Sequence, residues 1–131
     1  METSAARTEA QVVQYTITGD VQPHRGRGRL LGVPTLNIPV TASIPDGVYA
    51  GFVLKETHKF SAAIFIGAAI TFNETERQAE AHILDGSVDI TGRVEFRLTN
   101  FIRANQAFSD GESLQNQMQL DIKAIKLCLQ A

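Results

Sequence analysis

Apolar positions begin to alternate with polar ones at Val13: Val13, Tyr15 and Ile17 are separated by Gln14, Thr16 and Thr18. A period of two marks a strand with one buried face, and this one is predicted to run to Val21. The stretch Thr35-Leu36-Asn37-Ile38 is predicted to be extended, because Pro34 pushes Val33 toward β geometry and cannot itself continue a ladder. Ile44-Pro45-Asp46-Gly47 reads as a turn. Strands over residues 48–54 and 60–67 follow as a hairpin around the polar Glu56-Thr57-His58-Lys59. A polar loop over 73–77 leads to a strand over 78–84, Asp85-Gly86-Ser87 turns the chain, and residues 93–98 alternate Val94, Phe96 and Leu98 with charge.

The period then changes. Leu114, Met118, Ile122, Ile125 and Leu129 recur at spacings of three and four with glutamine, aspartate and lysine between them, which predicts one amphipathic helix. Ser109 and Glu112 stand at capping-box spacing before it. About six strands and one terminal helix predict a mainly β fold. Its form is a six-stranded antiparallel barrel of Greek-key type, closed, with the C-terminal helix packed on it. No repeat or linker interrupts the pattern, so residues 11–131 read as one domain behind a flexible tail over 1–10.

A chain of 131 residues with 44% hydrophobic and 20% charged positions has an ordinary globular composition, which excludes collagen-like, disordered and coiled-coil proteins. The single cysteine, Cys128, removes disulfide scaffolds and zinc ribbons and predicts a reducing compartment. No apolar run reaches the ~18–20 residues of a membrane span, and METSAARTEA lacks a secretory core, so the protein is expected to be cytoplasmic and off the membrane. A net charge of −2 gives no global pull toward nucleic acid. One local patch departs from this: Pro23-His24-Arg25-Gly26-Arg27-Gly28-Arg29, a loop that concentrates positive charge on flexible backbone.

No P-loop, His-Glu-x-x-His or Gly-x-Ser-x-Gly pattern occurs. His24, His58 and His82 lack ligand spacing and read as solvated or locally hydrogen-bonded side chains. Gly26, Arg27, Gly28 and Arg29 can offer backbone N–H groups and guanidinium forks to a phosphate, although a solvated basic loop or an RNA-contacting Arg-Gly patch has the same composition. Thr35 and Asn37, two apart on an extended segment, share a face and present hard oxygens that suit Mg²⁺. The alternative is two edge residues that face solvent or cap the neighbouring turn. Glu80, flanked by Ala79 and Ala81, is the candidate general base, with room for a substrate beside it; the alternative is an outward strand glutamate.

In order, these segments resemble the riboflavin kinase (flavokinase) family from about Tyr15 to Ile125. The most specific stretch runs from Gly19-Asp20-Val21 through Gly26-Arg27-Gly28-Arg29 to Gly32-Val33-Pro34-Thr35-Leu36-Asn37. Gly47-Val48-Tyr49, Ile66-Gly67 with Thr71-Phe72, Glu80-Ala81-His82-Ile83-Leu84-Asp85, Asp89-Ile90-Thr91-Gly92, Phe101-Ile102-Arg103, Phe108 and Asp121-Ile122 follow the family order. The resemblance implies a six-stranded barrel that transfers the γ-phosphoryl group of ATP to the ribityl 5′-hydroxyl of riboflavin, giving FMN and ADP. By resemblance, Thr35 and Asn37 hold Mg²⁺ or another divalent cation. Gly26, Arg27, Gly28, Arg29 and Pro34 form the nucleotide loop, Glu80 is the base, and Arg103 helps close the site on the flavin and phosphate side. His24, Leu36, Ile70, Thr91 and Asn105 depart from the usual family residues. The expected partners are small molecules bound by a monomer, with no nucleic acid. Two other readings stand beside it: a flavin- or nucleotide-binding barrel without catalysis, and a small RNA-binding barrel, against which the acidic pI and 7% aromatic content count.

Overall fold

A computed structural model describes residues 12–22, 35–40, 42–68, 77–84 and 90–130. Six strands, β1 (Tyr15–Asp20), β2 (Leu36–Pro39), β3 (Gly47–Lys55), β4 (His58–Ala68), β5 (Arg77–Ile83) and β6 (Arg93–Arg103), precede one helix, α1 (Gly111–Gln130). They form a single sheet in the order β1-β6-β3-β4-β5-β2, antiparallel throughout. The meander β3-β4-β5 with β6 returning beside β3 is a Greek key. The two end strands meet where the Gln22 amide donates to the Asn37 carbonyl at 2.7 Å, so the barrel is nearly closed, joined there by an isolated bridge. The expected tail over 1–10 lies outside the described residues.

The alternation seen in the sequence is the inside and outside of this barrel. Ile17, Leu36, Ile38, Val53, Ile64, Ile66, Ala79, Ala81, Phe96 and Leu98 fill the interior. Strand β3 shows no clean alternation because its outward Val48 and Ala50 are buried as well, under Ile125 of α1. Burial on both faces explains the run Val48-Tyr49-Ala50-Gly51-Phe52-Val53.

Strand β6 reaches Arg103, five residues past the predicted end at 98. Its register against β3 shifts twice: Gly51 faces Leu98 while Ala50 faces Asn100, and Tyr49 faces Phe101 while Val48 faces Arg103. Thr99 and Ile102 are therefore the extra residues of two bulges, each of which resets the period of two. The Thr99 hydroxyl, buried at the first bulge, donates to the Ala50 carbonyl at 3.2 Å.

At the same crossing a side chain on Gly51 would place its Cβ 2.0 Å from the Arg97 carbonyl oxygen. Gly51→Ala is thus expected to force the β3 and β6 backbones apart and to cost about 1–3 kcal/mol, the range for overpacking a close contact. Urea unfolding of the purified variant reads this directly; an unchanged midpoint would contradict the register.

The helix begins one residue later than the sequence signal placed it. Asp110, not Ser109, is the cap: its Oδ1 accepts a hydrogen bond from the Ser113 amide at 2.7 Å, which makes Ser113 rather than Glu112 the third residue of the helix. That hydrogen bond to the Ser113 amide holds the Asp110 carboxyl below its usual range. An ionised aspartate satisfies the free amide and also complements the positive end of the helix dipole, which a serine does not.

Candidate active site

Strand β5 alternates Ala79, Ala81 and Ile83 into the barrel, so Gln78, Glu80 and His82 stand on its outer face. Three rungs cross that face. Gly67, Gln78 and Pro39 are aligned in the first, Phe65, Glu80 and Asn37 in the second, and Ala63 and His82 in the third. Thr35 immediately precedes the last β2–β5 pair, Leu36 and Ala81, so an extension of the register by one residue would set it opposite His82. The residues singled out in the sequence as metal and base candidates are thereby adjacent, although Asn37 and Glu80 are 43 positions apart. Ala79 and Ala81 have a different role from the one expected: they fill the barrel interior and do not open space beside the carboxylate.

Asn37 is 2% exposed, which removes the solvent-facing alternative for it. Its Oδ1 is buried and accepts no hydrogen bond. An acceptor left in that state costs free energy unless a ligand completes it. The Thr35 hydroxyl, half-buried on the same face, donates to Glu80 Oε2 at 3.4 Å, a long hydrogen bond. A hydroxyl that donates to a carboxylate keeps its lone pairs free for a cation. Thr35 Oγ1 and Asn37 Oδ1 are hard oxygen donors of the kind Mg²⁺ takes, so the residues present fit such an ion.

His82 departs from the expectation of a solvated or hydrogen-bonded histidine: its Nδ1 is buried and unpaired. Burial pushes the imidazole below its usual pKa of 6.5 and keeps it neutral. The unfolded chain therefore takes up a proton at position 82 that the folded chain resists. Stability from this group is complete above pH 6.5 and declines as the pH falls below it toward the lowered folded value. Thermal melts between pH 7.5 and 5 should show part of their decline disappear in His82→Leu; identical slopes in the two proteins would contradict this.

Arg103, at the end of β6, is held by the helix. Its Nε donates to Asp121 Oδ1 at 2.9 Å and its Nη2 to Asp121 Oδ2 at 2.8 Å, while Nη1 donates to the Ala104 carbonyl at 3.0 Å. Gln117 adds a third hydrogen bond to the Asp121 carboxylate at 3.0 Å. The Phe108 ring lies 5.9 Å from the guanidinium carbon. Sequence reasoning missed this partnership, though a signal existed: Asp121 sits at an apolar position of the helix stripe, three residues after Met118 and four before Ile125. Asn105, just past β6, donates from Nδ2 to the Ile66 carbonyl at 3.1 Å. It packs so closely on Gly67 that a Cβ there would lie 2.9 Å from the amide nitrogen. The segment after β6 is thus pinned to β4 one step from the Glu80 rung. Gly26, Arg27, Gly28, Arg29 and Pro34, together with His24, Ile70 and Asn73, lie outside the described residues.

The riboflavin kinase family model (Flavokinase) matches residues 12–129. The chain belongs to the riboflavin kinase family. Among similar proteins, a riboflavin kinase of Pyricularia oryzae is 30% identical over 88% of this chain and 70% of its own length. The bifunctional riboflavin kinase/FMN adenylyltransferase of Escherichia coli is 32% identical over 82% of this chain. This riboflavin kinase-family chain spans only 36% of that relative. A crystal structure of a Streptococcus pneumoniae protein described as a macrolide-efflux protein matches 85% of this chain and 38% of its own, with a TM-score of 0.73 and 29% identity. No helix among the described residues is long and apolar enough to cross a membrane.

Proposed function

We propose that this domain transfers the γ-phosphoryl group of ATP to the ribityl 5′-hydroxyl of riboflavin, yielding FMN and ADP. The observation that carries the reading is the outer-face cluster in a riboflavin kinase-family barrel: the Glu80 carboxylate beside the Thr35 hydroxyl and the uncompensated Asn37 oxygen. Glu80 is assigned as the base that accepts the ribityl proton as the oxygen attacks phosphorus. Thr35 and Asn37 would hold the divalent cation, which when bound neutralises phosphate charge. Gly26, Arg27, Gly28, Arg29 and Pro34 are assigned to the nucleotide phosphates, and Arg103 to the flavin and phosphate side, where its fork is fixed by Asp121. Phosphoryl transfer needs mainly positioning and charge neutralisation, and a rigid barrel face with cations supplies both. The adenylyltransferase activity named for the Escherichia coli relative is not assigned to this domain, so FMN is the expected end product. A reducing cytoplasm suits the reaction and the half-buried thiol of Cys128.

Incubation with riboflavin, ATP and Mg²⁺, followed by chromatographic separation of flavins, tests the proposal. FMN is expected with metal and is expected to vanish with EDTA. Riboflavin binding without FMN under ATP, GTP or CTP would instead identify a binding protein that retains the barrel without the chemistry.

A further inference from the structure

Among the described residues, two buried side-chain atoms lack a hydrogen-bond partner, Asn37 Oδ1 and His82 Nδ1. Both belong to the outer-face rungs around Glu80. Asn37 Oδ1 has a use in the cation site assigned above; His82 Nδ1 has none. A buried nitrogen without a partner is a free-energy cost that the apolar Leu or Met of similar volume would avoid. What stands near it is informative. The last β2–β5 pair is Leu36 and Ala81, and continuing that antiparallel register by one residue would bring Thr35 opposite His82, where cross-strand Cβ atoms lie within roughly 5 Å. The Thr35 hydroxyl carries one proton, and its bond to Glu80 Oε2, at 3.4 Å, is long enough to be exchanged for another.

We propose that His82 is a positioning residue for phosphoryl transfer, its Nδ1 serving as the second acceptor for the Thr35 hydroxyl. The inference rests on the assignment of Glu80 as the base. Before transfer, Glu80 is a carboxylate and attracts the Thr35 proton. As the ribityl O–H bond breaks and the O–P bond forms, Glu80 receives the ribityl proton and ADP departs with the electrons of the broken P–O bond. The neutral acid is a weaker acceptor, so the Thr35 O–H, which stays intact, turns to His82 Nδ1. The hydroxyl is thereby left with an acceptor both before and after Glu80 takes up the ribityl proton. The required tautomer carries the imidazole proton on Nε2, and burial, which disfavours the imidazolium, supports the neutral ring.

Three variants of the full chain test this: His82→Leu, His82→Asn, whose short amide oxygen approximates Nδ1, and His82→Gln, whose longer amide approximates Nε2. Each is assayed for FMN formation and thermal midpoint beside Glu80→Gln. His82→Leu is expected to lower kcat at least tenfold with the KM for riboflavin within twofold, while its thermal midpoint at pH 7.5 equals or exceeds that of the parent. His82→Asn is expected to recover most of kcat and His82→Gln little of it. A His82→Leu protein with kcat within twofold of the parent overturns the proposal, as does equal activity of the Asn and Gln variants, a comparison that stands even if the Leu variant does not fold. Full activity in Glu80→Gln overturns the base assignment and this inference with it; an inactive Glu80→Gln beside fully active His82 variants overturns this inference alone.

Discussion

Glu80→Gln is expected to reduce the rate of FMN formation by about 10²–10⁴-fold, the usual contribution of a positioned general base. Affinity for riboflavin, read by quenching of flavin fluorescence, should stay within a few fold of the parent, because the amide keeps the shape of the carboxylate. The Thr35 hydroxyl can still donate to the amide oxygen, so the contact at 3.4 Å survives in neutral form. The fold should survive too, because the side chain stands on the outer face, away from Ala79 and Ala81 in the core. A variant that turns over at the parent rate would move the base elsewhere.

The second large effect is on stability. Asp121→Ala removes the partner of both Arg103 nitrogens and leaves a guanidinium whose side chain is 20% exposed without its carboxylate. Breaking a buried pair from one side typically costs 3–5 kcal/mol, so a loss of about 3 kcal/mol is expected, a drop in Tm of roughly 10 °C for a domain of this size. Helix α1 is where the loss is felt, since its other deeply buried contact is Ile125 on Val48 and Ala50. The paired change Arg103→Met with Asp121→Leu should recover most of the stability, because no charge is left stranded. It should not recover FMN formation if Arg103 closes the site as assigned. Calorimetry of the single and double variants beside a flavin assay separates the two roles; a double variant with parental activity would confine Arg103 to holding the helix.

The barrel was legible where one face of a strand is wet. Tyr15 and Ile17, Ala79 and Ala81, and Val94, Phe96 and Leu98 alternate because their neighbours face outward, and the amphipathic stripe of α1 follows from its one-sided packing. It was less legible where the pattern is reset. Thr99 and Ile102 are bulge residues, and a bulge inserts a position that no period of two anticipates. The helix start is ambiguous by one residue in the sequence because Ser109 and Asp110 both have capping side chains, and only geometry shows which oxygen meets the Ser113 amide.

For the site, the shared face of Thr35 and Asn37 could be read from spacing alone, but their meeting with Glu80 depends on the pairing of β2 with β5. Long-range register leaves no local trace in a single sequence. The same holds for Arg103 and Asp121, 18 positions apart and joined by a strand-to-helix turn. Nothing in the sequence neighbours of His82 announces that its Nδ1 is sealed from water.

The central claim is that the active site lies on the outer face shared by β2 and β5. Diffraction from crystals grown with Mn²⁺ and ADP, collected at a wavelength where manganese scatters anomalously, tests it most directly. The predicted result is one anomalous peak ligated by the side-chain oxygens of Thr35 and Asn37, beside the Glu80 carboxylate. Manganese bound away from both residues, in a protein that forms FMN with that metal, would contradict it.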